Sequence, residues 1–467
     1  MKKIFLGLMA MSVVLVVASC GKDDVPSSDL TLFQTETSSS KYEIIAEADY
    51  TAEEFADQVL GPAGSNAGED SWKEEIRAAF LKKDQARRDS LENVLGTNGL
   101  ATNYHTVRYT YWSVDAFGRD IKLSGTVTWG QYWLFGYHDL DPDWICLVPH
   151  YTICKEDEAP YEFGATELVA IAGDNLIFMP DYIGYGYTKE KTHPYLMQDL
   201  CARNCIDALD PGWNVYKSKT GGALEDDWKF YVAGCSQGAG VALAVHKYLD
   251  THPSYADYWR FQYSYCAAGP HVPTITMDAY LRQGYLSYPC VLPMVVNSMY
   301  ESYPDILGKY RKEDFYSEKY LAQGTNSPII GAYKNFMEFM DAALAAKKSD
   351  ADEINDFFFS FFSSEGGNDE KIRVNALLSP AMLDRNSQIF KDFYKCLEKN
   401  DLTKGWTPTH KINLLHGKDD DIVAYENSKA VQNAFPSDKV QLQYNSTLSG
   451  HISTCALFIM DLATNNW

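Results

Sequence analysis

Residues 228–244 read WKFYVAGCSQGAGVALA. Trp228 to Ala233, rich in aromatic and aliphatic side chains, predicts a buried strand, and Ala239 to Ala244 predicts a helix. Between them stands Gly234-Cys235-Ser236-Gln237-Gly238, a Gly-x-Ser-x-Gly turn. Such a turn between a strand and a helix puts the serine on a strained bend with its hydroxyl exposed above the sheet, and the glycines let neighbouring backbone approach. With Gly and Ser each near 7% of residues, chance supplies on the order of 0.1 to 0.2 such pentamers in a chain this long. The flanking strand and helix therefore carry more weight than the five letters.

Working outward, further short apolar or β-forming runs lie at 145–149, 176–180, 261–268, 412–415 and 440–444, separated by helix-like stretches. Such alternation predicts an α/β fold, a mostly parallel sheet with helices on both faces. Runs at 105–115 and 121–130 flank Ala116-Phe117-Gly118-Arg119 and predict an antiparallel hairpin forming the first edge of that sheet. Helical periodicity over 72–95 predicts an N-terminal helical lead-in. The connection between 268 and 412 is far longer than such sheets need. Its helical patterns (295–310, 332–347, 354–362, 388–397) predict an inserted cap. The expected organisation is thus a leader (1–19), a tether (20–45), a first core part (46–270), a helical cap or lid (271–408) and a second core part (409–467).

The leader has Lys2 and Lys3 before an apolar run, 4–17, too short to span a bilayer comfortably, as in a secretory signal. It ends Val17-Ala18-Ser19-Cys20, which resembles the lipobox of bacterial lipoproteins. That resemblance implies acylation of Cys20, a lipid anchor in a membrane, and residence in the bacterial cell envelope at the outer membrane; the alternative is an ordinary signal peptide. Residues 21–40 are rich in Ser, Thr and Asp, as expected of a flexible tether. Lys22-Asp23-Asp24 resembles the acidic export signal of Bacteroidetes surface lipoproteins, which extends the expectation to the cell surface.

Composition excludes several classes. The 467 residues carry 41 basic and 63 acidic side chains, a net charge of −22 that repels phosphate backbones, so no nucleic-acid partner is expected. Ten cysteines at irregular spacing, one assigned to lipid, leave an odd number and indicate no disulfide framework; Cys201 and Cys205, four apart on a helical pattern, rarely reach bridging geometry. No CxxC pair or metal-like Cys/His spacing appears, so no zinc site is expected; the serine chemistry read below calls for no metal or organic cofactor.

A serine hydroxyl becomes a nucleophile only when a base takes its proton, and the base needs an acid to hold its tautomer. In strand-turn-helix architectures the chain order is serine, acid, histidine. Downstream of Ser236, the run at 412–415 leads into His416-Gly417-Lys418-Asp419-Asp420-Asp421-Ile422-Val423, where three aspartates compete for the acid's role. His451 is the only histidine after them, in a Ser449-Gly450-His451 turn before a terminal helix expected over 453–463.

These motifs resemble those of the α/β-hydrolase superfamily, and within it the secretory-lipase-related esterases with a helical lid, over roughly 105–467. The resemblance implies Ser236 as nucleophile and His451 as base. His416, Gly417, Asp420 and Val423 meet that family's His-Gly-x-x-Asp-x-x-Val loop, which selects Asp420 as acid. Pro180-Asp181-Tyr182-Ile183-Gly184-Tyr185-Gly186 is similar to a family segment that shapes backbone near the pocket. An oxyanion hole should use the backbone N–H of Gln237 and one from the His150-Tyr151-Thr152 loop, at Tyr151 or Thr152. This loop departs from the familiar His-Gly-Gly-Gly pattern, and His150 reads as structural. Cys235 reads as a buried small hydrophobe. His193-Pro194-Tyr195 reads either as pocket lining or as a turn, and Phe357, Phe358, Phe359, Phe361 and Phe362 as cap core rather than acyl contacts.

The expected function is a serine carboxylesterase or lipase-like hydrolase that acts through an acyl-enzyme on an extracellular small-molecule, glycan or lipid ester. A prolyl-peptidase-type enzyme and a non-catalytic binding protein on the same scaffold are the alternatives.

Overall fold

The computed structural model describes residues 41–65, 71–140, 142–162, 167, 175–221, 228–323, 340, 349–362, 371–445 and 450–464. The expected leader, Cys20, the tether as far as residue 40, and the expected helix over 332–347 apart from Met340 lie outside the described residues.

The strands are β1 (Glu43–Thr51), β2 (Ala101–Val114), β3 (Asp120–Trp133), β4 (Tyr137–Asp139), β5 (Trp144–Leu147), β6 (Asn175–Pro180), β7 (Lys229–Cys235), β8 (Phe261–Ala267), β9 (Tyr285–Leu286), β10 (Ile372–Arg373), β11 (Lys411–Gly417) and β12 (Val440–Asn445). The main sheet has the order β1-β2-β3-β6-β5-β7-β8-β11-β12, with β4 beside β3. From β6 to β12 every pairing is parallel, whereas β1, β2, β3 and β4 pair antiparallel with their neighbours.

Period-2 alternation explains the two cores. Ile145, Leu147, Leu176, Phe178, Phe230 and Val232 face one of them. Cys146, Val148, Ile177, Met179, Tyr231 and Ala233 face the other. Helices α1 (Ala52–Leu60) and α2 (Ser71–Leu95) close the second core through Phe55, Ile76 and Phe80. The first is covered by α3 (Gln198–Asp207) and α4 (Gln237–Thr251). Between β8 and β11 the described residues include α5 (Pro273–Gln283), α6 (Val291–Ser302), α7 (Ala351–Phe362) and α8 (Gln388–Glu398). The only ladder among them is β9 with β10. After β11 come α9 (Glu426–Ala434) and α10 (His451–Thr464), which packs Phe458 and Leu462 into the second core.

Two expectations are corrected here. The hairpin β2–β3 is not the sheet's edge: β1 lies outside it, paired from Glu43 with Thr110 to Thr51 with Asn103 with a register shift between Ile44 and Ala46. β1 therefore begins inside the stretch 20–45 read as tether. Seven of its nine residues are exposed and the rest only partly buried, so the apolar alternation that marks a half-buried strand is missing. Its end is secured locally. Thr51 Oγ1 accepts the Glu54 N–H at 3.2 Å and Glu54 Oε2 accepts the Thr51 N–H at 2.9 Å, a reciprocal cap that starts α1.

Candidate active site

β7 ends at Cys235 and α4 begins at Gln237, so the whole strand-to-helix reversal falls on Ser236. Its backbone sits at φ 53°, ψ −124°, a conformation that costs a non-glycine residue on the order of 1–3 kcal/mol. Close packing holds it there. A Cβ on Gly234 would come within 2.4 Å of Gly238 O, and one on Gly238 within 2.2 Å of Pro149 O. The Ser236 N–H is held by Ala267 O at 2.8 Å, which ties the turn to the end of β8.

Three side chains far apart in sequence meet at this turn. Ser236 Oγ lies 2.8 Å from His451 Nε2, and His451 Nδ1 lies 2.7 Å from Asp420 Oδ2. A carboxylate can only accept, so Nδ1 carries the proton toward Asp420 and Nε2 offers its lone pair to the serine hydroxyl. Ser236 is 9% exposed, His451 5%, and the Asp420 side chain fully buried, which strengthens every charge interaction among them. Asp420 Oδ1 accepts the N–H groups of Ile422 (3.0 Å) and Val423 (2.8 Å). Burial alone would raise the Asp420 pKa, but the neighbouring His451 and His416 pull it far below the usual carboxylate range. Burial alone would lower the His451 pKa, but the Asp420 charge, with Cys455 beside it, raises the imidazole well above its ordinary value. Of the three competing aspartates the structure thus brings Asp420 to His451, while Asp419 faces solvent. His451 is the first residue of α10 rather than part of a turn ahead of it.

Gln237, as the first residue of α4, has a backbone N–H without an intrahelical acceptor. Its side-chain Nε2 lies 2.6 Å from His193 Nε2, and His193 Nδ1 lies 2.9 Å from Ile183 O. The carbonyl fixes the proton on Nδ1, so the amide donates to Nε2 and His193 acts as a buried brace for Gln237. The facing loop, 149–153, is held from several sides. Tyr182 Oη donates to His150 O at 2.9 Å, Tyr185 Oη donates to Ile153 O, and Thr152 Oγ1 lies 2.9 Å from Tyr195 Oη. Asp181, fully buried, accepts from Ser124 Oγ at 2.6 Å. The 180–186 segment accordingly shapes backbone.

One expected oxyanion donor is already engaged: the Tyr151 N–H points at Glu167 Oε1, 3.2 Å away. A buried acceptor has claimed it, which leaves Thr152 as the loop donor to consider beside Gln237. Burial pushes the Glu167 carboxyl up to about 8, against the hydrogen bonds from its own N–H and that of Tyr151. His150 is fully buried, its Nδ1 2.7 Å from Tyr151 O, and burial pushes its pKa down to about 4, so it is neutral near pH 7.

Cys235 is 1% exposed and packs into the second core. Cys455, one turn beyond the histidine, places Sγ 4.0 Å from His451 Nε2. A hydrogen bond with Cys235, with His451 nearby, pulls its thiol down to about 6 against burial. The nine described cysteines are free thiols. Phe358 and Phe362 are buried and stack on Tyr320; the Phe361 side chain lies outside what is described. Among the described residues no group of three or more His, Cys, Asp or Glu is placed to hold a metal ion, and no helix is long and apolar enough to cross a membrane. A cavity of about 330 Å³ opens beside His193, lined also by Asp115, Phe117, Glu190 and Glu301, but neither Ser236 nor His451 borders it.

Sequence reading missed Glu167 and Cys455, which stand in no recognisable motif. It met His416 only as a motif letter, although its Nε2 lies 3.2 Å from Asp420 Oδ2.

At the level of sequence, neither family models nor curated proteins match this chain. Solved structures do. The rice-cell-wall-degrading esterase LipA of Xanthomonas oryzae, in a point-mutant form, superposes with a TM-score of 0.57 at 17% identity, over 81% of this chain and 94% of that one. A candidate hydrolase of Legionella pneumophila gives 0.61 at 17% identity, over 91% and 95%. Candida antarctica lipase A in its closed state gives 0.50 at 12%, over 80% and 79%. The chain has the α/β-hydrolase fold.

Proposed function

We propose that the protein is a serine esterase that cleaves carboxylic esters through an acyl-enzyme. The observation that carries this reading is the unbroken relay from Ser236 Oγ to His451 (2.8 Å) to Asp420 (2.7 Å) on a strained turn. The esterase and lipase among its structural neighbours support it.

In the first half-reaction His451 Nε2 takes the hydroxyl proton as Ser236 Oγ bonds to the ester carbonyl carbon. Asp420 stabilises the imidazolium that forms and keeps the ring oriented. The N–H of Gln237, with that of Thr152 opposite, receives the oxyanion, and a donor of this kind contributes about 3–4 kcal/mol. Collapse of the tetrahedral intermediate expels the alkoxide, which leaves with the proton from His451. Water repeats the cycle: it gives a proton to His451, attacks the acyl carbon, and frees the acid and Ser236. No metal or organic cofactor enters these steps.

The helices of 271–408 serve as a lid that shapes the acyl and alcohol sites. Cys20 carries lipid that holds the enzyme at the outer membrane, with the substrate met outside the cell. Because the Xanthomonas relative degrades plant cell wall, acylated cell-wall glycans join lipid and aryl esters as substrates to test.

The test compares turnover of p-nitrophenyl esters and proline arylamides by the wild type and Ser236→Ala. Ester hydrolysis that the substitution abolishes, with melting temperature nearly unchanged, is the expected result. Turnover of arylamides alone would favour the peptidase, and turnover of neither would favour a binding protein. Replacement of Cys20 by Ser should release the protein from the membrane fraction; continued retention would refute the anchor.

A further inference from the structure

The Asp420 carboxylate receives a second imidazole. His416, at the end of β11, is fully buried; its Nδ1 lies 2.8 Å from Ser428 Oγ on α9, and its Nε2 lies 3.0 Å from Val423 O and 3.2 Å from Asp420 Oδ2. Both neighbours of Nε2 can only accept, so the ring proton sits there, and Nδ1 accepts the Ser428 hydroxyl proton. The tautomer is thereby set by partners on two sides. The Nε2–H is donated to the Val423 carbonyl, one turn of loop beyond Asp420, and Nε2 lies 3.2 Å from the carboxylate oxygen that also receives His451.

Asp420 needs such a hold. Its Oδ1 is tied to Ile422 and Val423, its own loop neighbours, so that end moves with the loop. Without His416, Oδ2 would be fixed only by the ring it is meant to orient. His416 instead grows from the sheet, and its Nδ1 partner stands on a helix packed against the sheet, so the constraint reaches Oδ2 from the rigid part of the fold. We propose that His416 is a positioning residue of the catalytic site: through the sheet-anchored Nε2–H it fixes Asp420 Oδ2 so that this oxygen meets His451 Nδ1. The inference rests on the esterase reading. The titratable groups facing His416 are Asp420, through it His451, the buried imidazole of His271, and the Tyr425 ring 5.6 Å away edge-on.

The test pairs His416→Gln, whose amide nitrogen reaches about as far as Nε2 and keeps a donor, with His416→Met, of similar length without one. Ser428→Ala serves as a third variant that frees the tautomer without touching Asp420. A lost hydrogen bond to a charged group is worth about 10- to 100-fold. His416→Met should lose that much kcat with KM unchanged, and the acidic limb of its kcat/KM profile should move to lower pH, since an Oδ2 that no longer meets Nδ1 holds the His451 proton less tightly. His416→Gln should restore both, and Ser428→Ala should shift them partway. A kcat for His416→Met within twofold of wild type would overturn the inference, as would equal losses in Met and Gln that track melting temperature. The low-field proton resonance of His451 Nδ1–H supplies a readout that needs no turnover. Should the wild type fail to cleave esters, movement of that resonance in His416→Met and its return in His416→Gln would uphold the positioning while the esterase reading fell; an unmoved resonance would sink the positioning.

Discussion

Replacement of Asp420 by asparagine tests the acid's assignment against its two neighbours. The carboxylate accepts three N–H donors, Ile422 and Val423 on Oδ1 and His451 on Oδ2, and His416 Nε2 lies 3.2 Å from Oδ2. Asparagine has one acceptor oxygen and one NH₂. If the oxygen keeps the two backbone donors, the NH₂ faces the His451 Nδ1–H; if the side chain flips, it faces two backbone N–H groups. Either way at least one buried donor is left unsatisfied, since only the His416 N–H keeps another acceptor, Val423 O. The cheapest relief is for His451 to move its proton from Nδ1 to Nε2, which makes Nε2 a donor toward Ser236 and removes the base. The tautomer error costs ~10⁴ in kcat, about 5 kcal/mol at 1.36 kcal/mol per decade. Asp419→Asn and Asp421→Asn should stay within about twofold, because neither side chain hydrogen-bonds His451. Steady-state hydrolysis of a p-nitrophenyl ester by all three variants, at matched folded fraction, reads the difference. A comparable loss in Asp419→Asn or Asp421→Asn, or more than a tenth of wild-type kcat in Asp420→Asn, would refute the reasoning.

Gly238→Ala should both destabilise and inactivate, because the added Cβ would lie 2.2 Å from Pro149 O, backbone that cannot swing away; a variant with wild-type melting temperature and kcat would show that the Ser236 turn and the facing loop do not touch. Glu167 holds its proton to about pH 8 in the folded chain but releases it near 4.5 when unfolded, so this group withdraws stability as pH rises across that window. The melting temperature of Glu167→Gln relative to wild type should therefore climb between pH 5 and pH 9, and a pH-independent difference would count against a buried neutral acid. With its pKa pulled down to about 6 beside His451, Cys455 should react with iodoacetamide faster than the other described cysteines, with loss of activity. Peptide mapping that finds another of them alkylated first would contradict it.

Much of this architecture is legible in the residues because burial imposes a period. The runs around Ile145, Leu176, Phe230, Phe261 and Ile412 are strands buried on both faces, and each appears within a few residues of where it was expected. Ser236 and His451 stand out for a different reason: a turn that only glycines can flank, and a single histidine downstream of the acid loop. Their 2.8 Å approach is a product of tertiary structure. The failures follow the same logic. β1 is exposed on both faces, so its residues carry no alternation; its pairing with β2 is made by backbone, which sequence pattern does not report. Tyr151 looked free as a donor because nothing local predicts that Glu167 reaches it. His416 occupies a recognisable motif, yet its function depends on Ser428 and Asp420 converging from a helix and a loop.

The central claim is that Ser236 is a nucleophile activated by His451. Incubation with a fluorophosphonate, followed by peptide mass mapping, tests it most directly. A single stoichiometric adduct on Ser236, formed by the wild type and slowed by orders of magnitude in His451→Ala, is the predicted result. An ester-cleaving protein that takes up no phosphonate, or takes it up at another residue, would contradict it.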